Sequence, residues 1–228
     1  NAIRVNLSDC YEITDDGLAY LTHVTTINLT HCFDITDDGM HYLANATMVN
    51  LSGCKNITDN GLRYLSHVKN INVGYCDNIT NDGLRHLTNA TVANLQSCDN
   101  ISDDGLRHLT RVERINISDC KNITNDGLRH LKNATTIDLE YMFNSKITDD
   151  GLSHLTNATT IRLGYSKSIT DNGLAYLKNA IVINLSNING ITDDGLRYLT
   201  NVKGINLEGC SHITDDGLCH LKNAIKVN

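Results

Sequence analysis

The stretch NLSDCYEITDDGLAYL, from Asn6 to Leu21, is followed 22 residues later by NLTHCFDITDDGMHYL, from Asn28 to Leu43. A cysteine, an Ile-Thr-Asp-Asp-Gly run and two large apolar residues return at one fixed interval. Cysteines and paired aspartates are the raw material of metal sites and acid–base pairs, so the period must decide between chemistry and architecture. Aligned on the Ile-Thr/Ser step, the copies fall at Ile13, Ile35, Ile57, Ile79, Ile101, Ile123, Ile147, Ile169, Ile191 and Ile213. Every interval is 22 residues except the 24 between Ile123 and Ile147. About ten repeats therefore form one array over residues 1–228, with no linker. No dedicated caps are expected, because NAIRVNL at Asn1, NATMVNL at Asn45 and the closing NAIKVN share one phase.

Two local periods give the coarse structure of each copy. In TINLT, residues 26 to 30, apolar and polar residues alternate, which predicts a short strand with Ile27 and Leu29 turned inward. Met40 and Leu43, three residues apart, share the face of a short helical segment. The Thr36 hydroxyl caps its start, and Asp37 and Asp38 meet unpaired N–H groups there. Gly39 permits close backbone packing. Neither half buries its apolar face alone, so stacked neighbours must build a continuous core. The unit Val24-x-x-Ile27-x-Leu29-x-x-Cys32-x-x-Ile35, followed by Gly39-Met40-x-x-Leu43, resembles the leucine-rich repeat signature. That resemblance implies an α/β solenoid, a right-handed arc or horseshoe with a parallel sheet on its concave face and short helices on its convex face.

Within such an array the repeated residues have structural readings. Cys10, Cys32, Cys54, Cys76, Cys98 and Cys120 form a ladder, not bridging pairs, and Met142, Ser166 and Ile188 hold the same place in other copies. Small buried thiols that can be replaced by Met or Ile fill a core; they are neither disulfides nor thiolate ligands. Cys219 falls where Arg63, Arg85, Arg107 and Arg129 stand elsewhere and is expected to be an exposed thiol. The stacked acids cap helices in place of a calcium ladder, and the arginines offset them across adjacent turns. His86, His108, His130, His154 and His220 interchange with Tyr20, Tyr42, Tyr64, Tyr176 and Tyr198 at a half-buried helix flank. No metal ligand set and no cofactor follow from these rows.

The unit C-x-x-I-T-D-x-G-L-x-x-L, read for example from Cys54, Ile57, Thr58, Asp59, Gly61, Leu62 and Leu65, resembles the cysteine-containing repeats of F-box/LRR proteins. Those proteins are substrate receptors of cullin-type ubiquitin ligases, and the resemblance implies a scaffold that recognises a protein partner. The chain departs from that family in its 22-residue period, against about 26, and in having no proline.

A function then belongs on the outward face of the strands. Its middle position is a ladder of Asn6, Asn28, Asn50, Asn72, Asn94 and Asn116, then Asp138, Arg162, Asn184 and Asn206. The asparagine amides are expected to hydrogen-bond up the stack. The ladder changes charge at Asp138 and Arg162, beside Glu140, Tyr141 and Phe143 in the copy with the two-residue insertion and Tyr165 one copy on. Tyr, Phe and Arg are enriched in interface cores, so Asp138, Glu140, Tyr141, Phe143, Arg162 and Tyr165 are the candidate partner-binding residues. The trough near Tyr75 and Gln96 is the alternative location.

The remaining classes are excluded on composition and motif. No Ser/His/Asp grouping, phosphate loop or H-E-x-x-H run indicates an enzyme. A net charge of -7 disfavours nucleic acid, and no apolar run reaches the roughly 20 residues of a membrane span. A monomer is expected unless exposed repeat ends associate. Unpaired cysteines, and N-x-S/T triplets on the strand ladder itself, point to the cytoplasm. The alternative is a structural or consensus-like array, or a bacterial or viral surface or effector protein of the same repeat type.

Overall fold

The computed structural model describes residues 3–142 and 146–228. The chain divides into two compact units, Asn1–Val112 and Glu113–Asn228. Among the described residues the first unit carries strands β1 (Arg4–Asn6), β2 (Thr26–Asn28), β3 (Met48–Asn50), β4 (Asn70–Asn72) and β5 (Val92–Asn94). All pair in parallel with equivalent residues opposite, as in Ile27↔Val49 and Asn28↔Asn50. The second unit carries β6 (Arg114–Asn116), β7 (Thr136–Asp138), β8 (Thr160–Arg162), β9 (Val182–Asn184), β10 (Gly204–Asn206) and β11 (Lys226–Val227), in the same parallel register.

Each strand is three residues or fewer, and in β2 to β10 its central residue alone is buried while the residues beside it face out. Ile27, Leu29, Cys32, Ile35, Met40 and Leu43 are all buried, as the two local periods predict. The return segment is a single turn of helix, such as Asp59–Leu62, or a 3-10 stretch, Asp37–Leu43. So short a helix has little intrinsic stability. It persists because its Leu or Met face packs onto the strand and onto the neighbouring repeat.

The N-terminal caps sit where the sequence places them: the hydroxyls of Thr36, Thr58 and Thr80 accept from the amides of Asp38, Asn60 and Asp82. The leading acid does something else. Asp15 Oδ1 accepts from the Thr36 amide at 2.9 Å and its Oδ2 from the Thr36 hydroxyl at 2.6 Å, one repeat away. Asp37–Thr58 and Asp59–Thr80 repeat this latch, as do Asp149–Thr170, Asp171–Thr192 and Asp193–Thr214 in the second unit. Where Asn81 and Asn125 replace the acid, the amide oxygen still accepts from the next backbone N–H and its NH2 donates to the hydroxyls of Ser102 and Thr148. The glycine in each helix makes room for this group. A Cβ on Gly83 would lie 2.4 Å from Asp59 Oδ1, whereas on Gly17 it would meet only Ile13 at 3.6 Å.

The cysteines are free, and Cys32, Cys54, Cys76, Cys98, Cys120 and Cys210 are buried. They are more than filler. The Cys32, Cys54, Cys76 and Cys98 thiols donate to the carbonyls of Leu7, Leu29, Leu51 and Val73 in the preceding repeat, at 3.0–3.2 Å. Burial pushes the Cys54 thiol up to about 12 and that of Cys76 to about 11. Cys10 departs from the expected row and is only half-buried, since no described turn stacks before it. Cys219 is exposed. The arginines pair with the acid three residues before them, Arg85 with Asp82 and Arg129 with Asp126, both at 3.6 Å and exposed, and Arg197 also interacts with the Asp171 charge one repeat back. Such surface pairs contribute little. On the His/Tyr flank, Tyr64, His86, His108, His130 and Tyr198 are half-buried, while Tyr20, His154, Tyr176 and His220 are exposed.

Candidate functional site

The strand ladder is built differently from the expectation of amides bonded up the stack. Asn28, Asn50, Asn72 and Asn94 each turn their Oδ1 to the amide two residues on, at 2.9–3.0 Å, closing the turn that ends their own strand. This is the Asx turn, which needs only a side-chain acceptor. Asp138 meets the requirement and accepts from the Glu140 amide at 3.1 Å. Arg162 has no acceptor to offer, so at this rung a charged donor stands in place of the turn-closing group.

Three residues after the ladder position, every repeat places one residue in the left-handed backbone region. In the first unit these are Asp9, His31, Gly53, Tyr75 and Ser97; in the second they are Asp119, Tyr141, Tyr165, Asn187 and Gly209. A bulky side chain is rarely found at positive φ. Tyr141 (φ 62°) and Tyr165 (φ 67°) are held there because their amides continue the interstrand ladder, to the carbonyls of Gly164 at 3.1 Å and Ser186 at 2.9 Å. The backbone thus fixes both rings, which stack with centroids 5.1 Å apart and planes 17° from parallel. Tyr141 remains 42% exposed. Tyr165 also lines a depression of about 320 Å³ with Lys167, Asn187 and Asn189.

Beside the rings lie the charged residues. Asp138 and Arg162 are opposite partners in the β7–β8 register, with Arg162 Nη1 3.5 Å from Asp138 Oδ2. Glu140 reaches across two repeats to accept from the Asn184 amide. It can do so because Gly164 leaves its path open; a Cβ there would stand 2.7 Å from Ser186 Oγ and 3.4 Å from the Glu140 carboxylate. Burial, with the neighbouring Asp138 charge second, raises the Glu140 carboxyl above its ordinary value.

The structure therefore brings Asp138, Glu140, Tyr141, Arg162 and Tyr165 together on one face. Phe143 lies outside the described residues. Met142 is buried in the place of the cysteine. Sequence reasoning missed Asn184, the partner of Glu140. The available signal was Gly164, the glycine that stands between Glu140 and Ser186 in that row. Among the described residues no group of three His, Cys, Asp or Glu side chains could hold a metal ion, and no helix is long and apolar enough to cross a membrane.

Comparison with known proteins places this geometry. A family profile described as Leucine Rich repeat matches residues 20–44 and 47–66. An internalin C2 structure from Listeria monocytogenes is similar over 94% of this chain and 91% of its own, at 21% identity and a TM-score of 0.61. The fold is that of the leucine-rich repeat proteins. A TLR13–ssRNA13 complex structure is similar to this chain at a TM-score of 0.65 and 15% identity, over 92% of the chain but only 36% of TLR13. Rad7, solved with Elc1 from yeast, is similar at 0.58 and 16% identity, over 99% of the chain and 75% of its own. The chain thus spans little more than a third of the length of the TLR13 structure. No curated protein matches it in sequence. Leucine-rich repeat proteins present extended binding surfaces, and in general they serve as interaction scaffolds, not enzymes.

Proposed function

We propose that this chain is a non-enzymatic protein-binding scaffold that docks its partner on Asp138, Glu140, Tyr141, Arg162 and Tyr165, with Phe143 as a sixth member. The observation that carries the reading is the stacked Tyr141–Tyr165 pair, held at positive φ beside a charged group that is already tied together. Tyr and Arg concentrate binding energy at protein interfaces. Here their positions are set by backbone pairing, so docking orders no loop. Rad7 was solved with Elc1, which supports a protein as the partner class for this fold.

The narrower reading is a substrate-recognition module of a ubiquitin-ligase adaptor, supported by the C-x-x-I-T-D-x-G-L-x-x-L unit. The row of unpaired cysteines suits a reducing compartment and so supports the cytoplasm. The test is affinity capture on the immobilised chain, run in parallel with a Tyr141→Ala/Tyr165→Ala variant. The reading requires a direct binder that the variant loses, and the narrower one requires ligase components to be co-captured. Equal capture by both chains refutes the patch.

A further inference from the structure

The sheet face of the first unit has a different chemistry from the patch in the second. Segments 26–31, 48–53, 70–75 and 92–97, which contain β2 to β5 and their outward turns, hold no Asp, Glu, Lys or Arg. Running down this uncharged face are Asn28, Asn50, Asn72 and Asn94, directly opposite one another in register. Because each Oδ1 is committed to its own turn, the orientation of each amide is fixed, and the NH2 is the end left over. None of the four NH2 groups has a partner among the described residues. The outcome is a straight row of outward donors, one per strand, at the parallel-sheet spacing of about 4.8 Å. It borders a depression of about 360 Å³ whose floor includes Thr26, Met48 and Val49. Tyr75, three residues beyond Asn72, is 46% exposed.

We propose that this face binds a neutral, unbranched glycan lying across the strands. An apolar protein surface laid on the row would leave four donors unsatisfied, each at a desolvation cost. Phosphate or carboxylate polymers call for cations, which this face lacks. A chain of uncharged sugars carries hydroxyl and ring oxygens at regular intervals, so it can supply an acceptor at successive rungs. Its apolar C–H faces can rest on Met48 and Tyr75.

The chain itself provides the control substitution. Asp138 occupies the same rung position and still closes its turn through Oδ1, so Asn28→Asp/Asn72→Asp should keep the fold and remove two alternate donors. Cellohexaose, maltohexaose and hexagalacturonate would each be titrated into the intact chain, with calorimetry and the side-chain amide NMR signals as readouts. The expected result is saturable binding of at least one neutral hexasaccharide with shifts at the four Asn side-chain amides. The double variant should weaken it at least tenfold while thermal unfolding is unchanged, and Tyr141→Ala should leave it intact. The proposal is overturned if neither neutral sugar binds, if hexagalacturonate binds tighter than both, or if the double variant binds equally well. A protein ligand that shifts these amides when no sugar does so also overturns it. Failure here would leave the protein-docking patch of the second unit standing, since that patch uses other residues.

Discussion

Asp59 holds Thr80 with both carboxylate oxygens: Oδ1 accepts from the Thr80 amide at 2.8 Å and Oδ2 from its hydroxyl at 2.6 Å. One residue thereby fastens the helix start of the following repeat. Hydrogen bonds to a charged group are each worth roughly 1.5–3 kcal/mol. Asp59→Ala should therefore destabilise the chain by about 2 kcal/mol or more in chemical denaturation. Asp59→Asn should cost less than half as much, because Asn81 and Asn125 make the same latch with an amide. Equal losses for both substitutions would show that the latch is not the reason for the acid.

The glycines give a prediction of opposite signs. In a helix, Ala is better than Gly by about 1 kcal/mol. Gly17→Ala should realise part of that gain, since its Cβ has only a van der Waals contact with Ile13. Gly83→Ala should destabilise, because its Cβ would fall on the Asp59 carboxylate. Melting temperatures of the two variants should move in opposite directions; movement in the same direction would dismiss the steric account.

Acid should weaken the stack. The Thr214 hydroxyl and amide hold the Asp193 carboxyl below its ordinary value of 3.8. A depressed folded pKa contributes stability that is present above the unfolded value and lost as pH falls through the folded one. A melting profile should thus be flat above about pH 5 and decline below about pH 4, with a shallower decline in Asp193→Asn. Glu140 has the opposite sign: its raised carboxyl favours the fold below the ordinary Glu range and loses that contribution as pH rises. Glu140→Gln should be no less stable than the parent at pH 7.

Thiol labelling of the native chain should be ordered by depth. Cys219 should react first, with half-buried Cys10 next. Cys54 and Cys76, pushed up to about 12 and 11 by burial, should react only on unfolding, because the thiolate is the nucleophile. Rapid modification of Cys54 in the folded chain would contradict its place in the core.

Much of this was legible in the sequence, for a physical reason. The alternation around Ile27 and Leu29 and the helical spacing of Met40 and Leu43 are local, and the 22-residue period shows that the same local pattern is stacked. What could not be read were contacts made between repeats. Asp59 and Thr80 are 21 residues apart, and nothing near Asp59 distinguishes a cap of its own helix from a latch on the next. The Asn ladder was misread in the reverse direction: its bonds are local turns, which a column of identical residues disguises as a ladder. The left-handed backbone at Tyr141 and Tyr165 was hidden because no propensity places a tyrosine there; interstrand pairing of the amides imposes it. At the candidate site the sequence located the break in the ladder and its aromatics, but not the reach of Glu140 over Gly164 to Asn184.

The central claim is that the Tyr141–Tyr165 face is where a protein docks. Its most direct test is the dissociation constant of a captured partner, measured by calorimetry for the parent chain and for Tyr141→Ala, Arg162→Ala and Asn28→Ala. If the patch is an interface hot spot, Tyr141→Ala and Arg162→Ala should each cost at least about 1 kcal/mol, roughly fivefold in affinity, with unfolding unchanged and Asn28→Ala nearly silent. Unaltered affinity in both patch variants, or a larger loss at Asn28→Ala, would contradict the account.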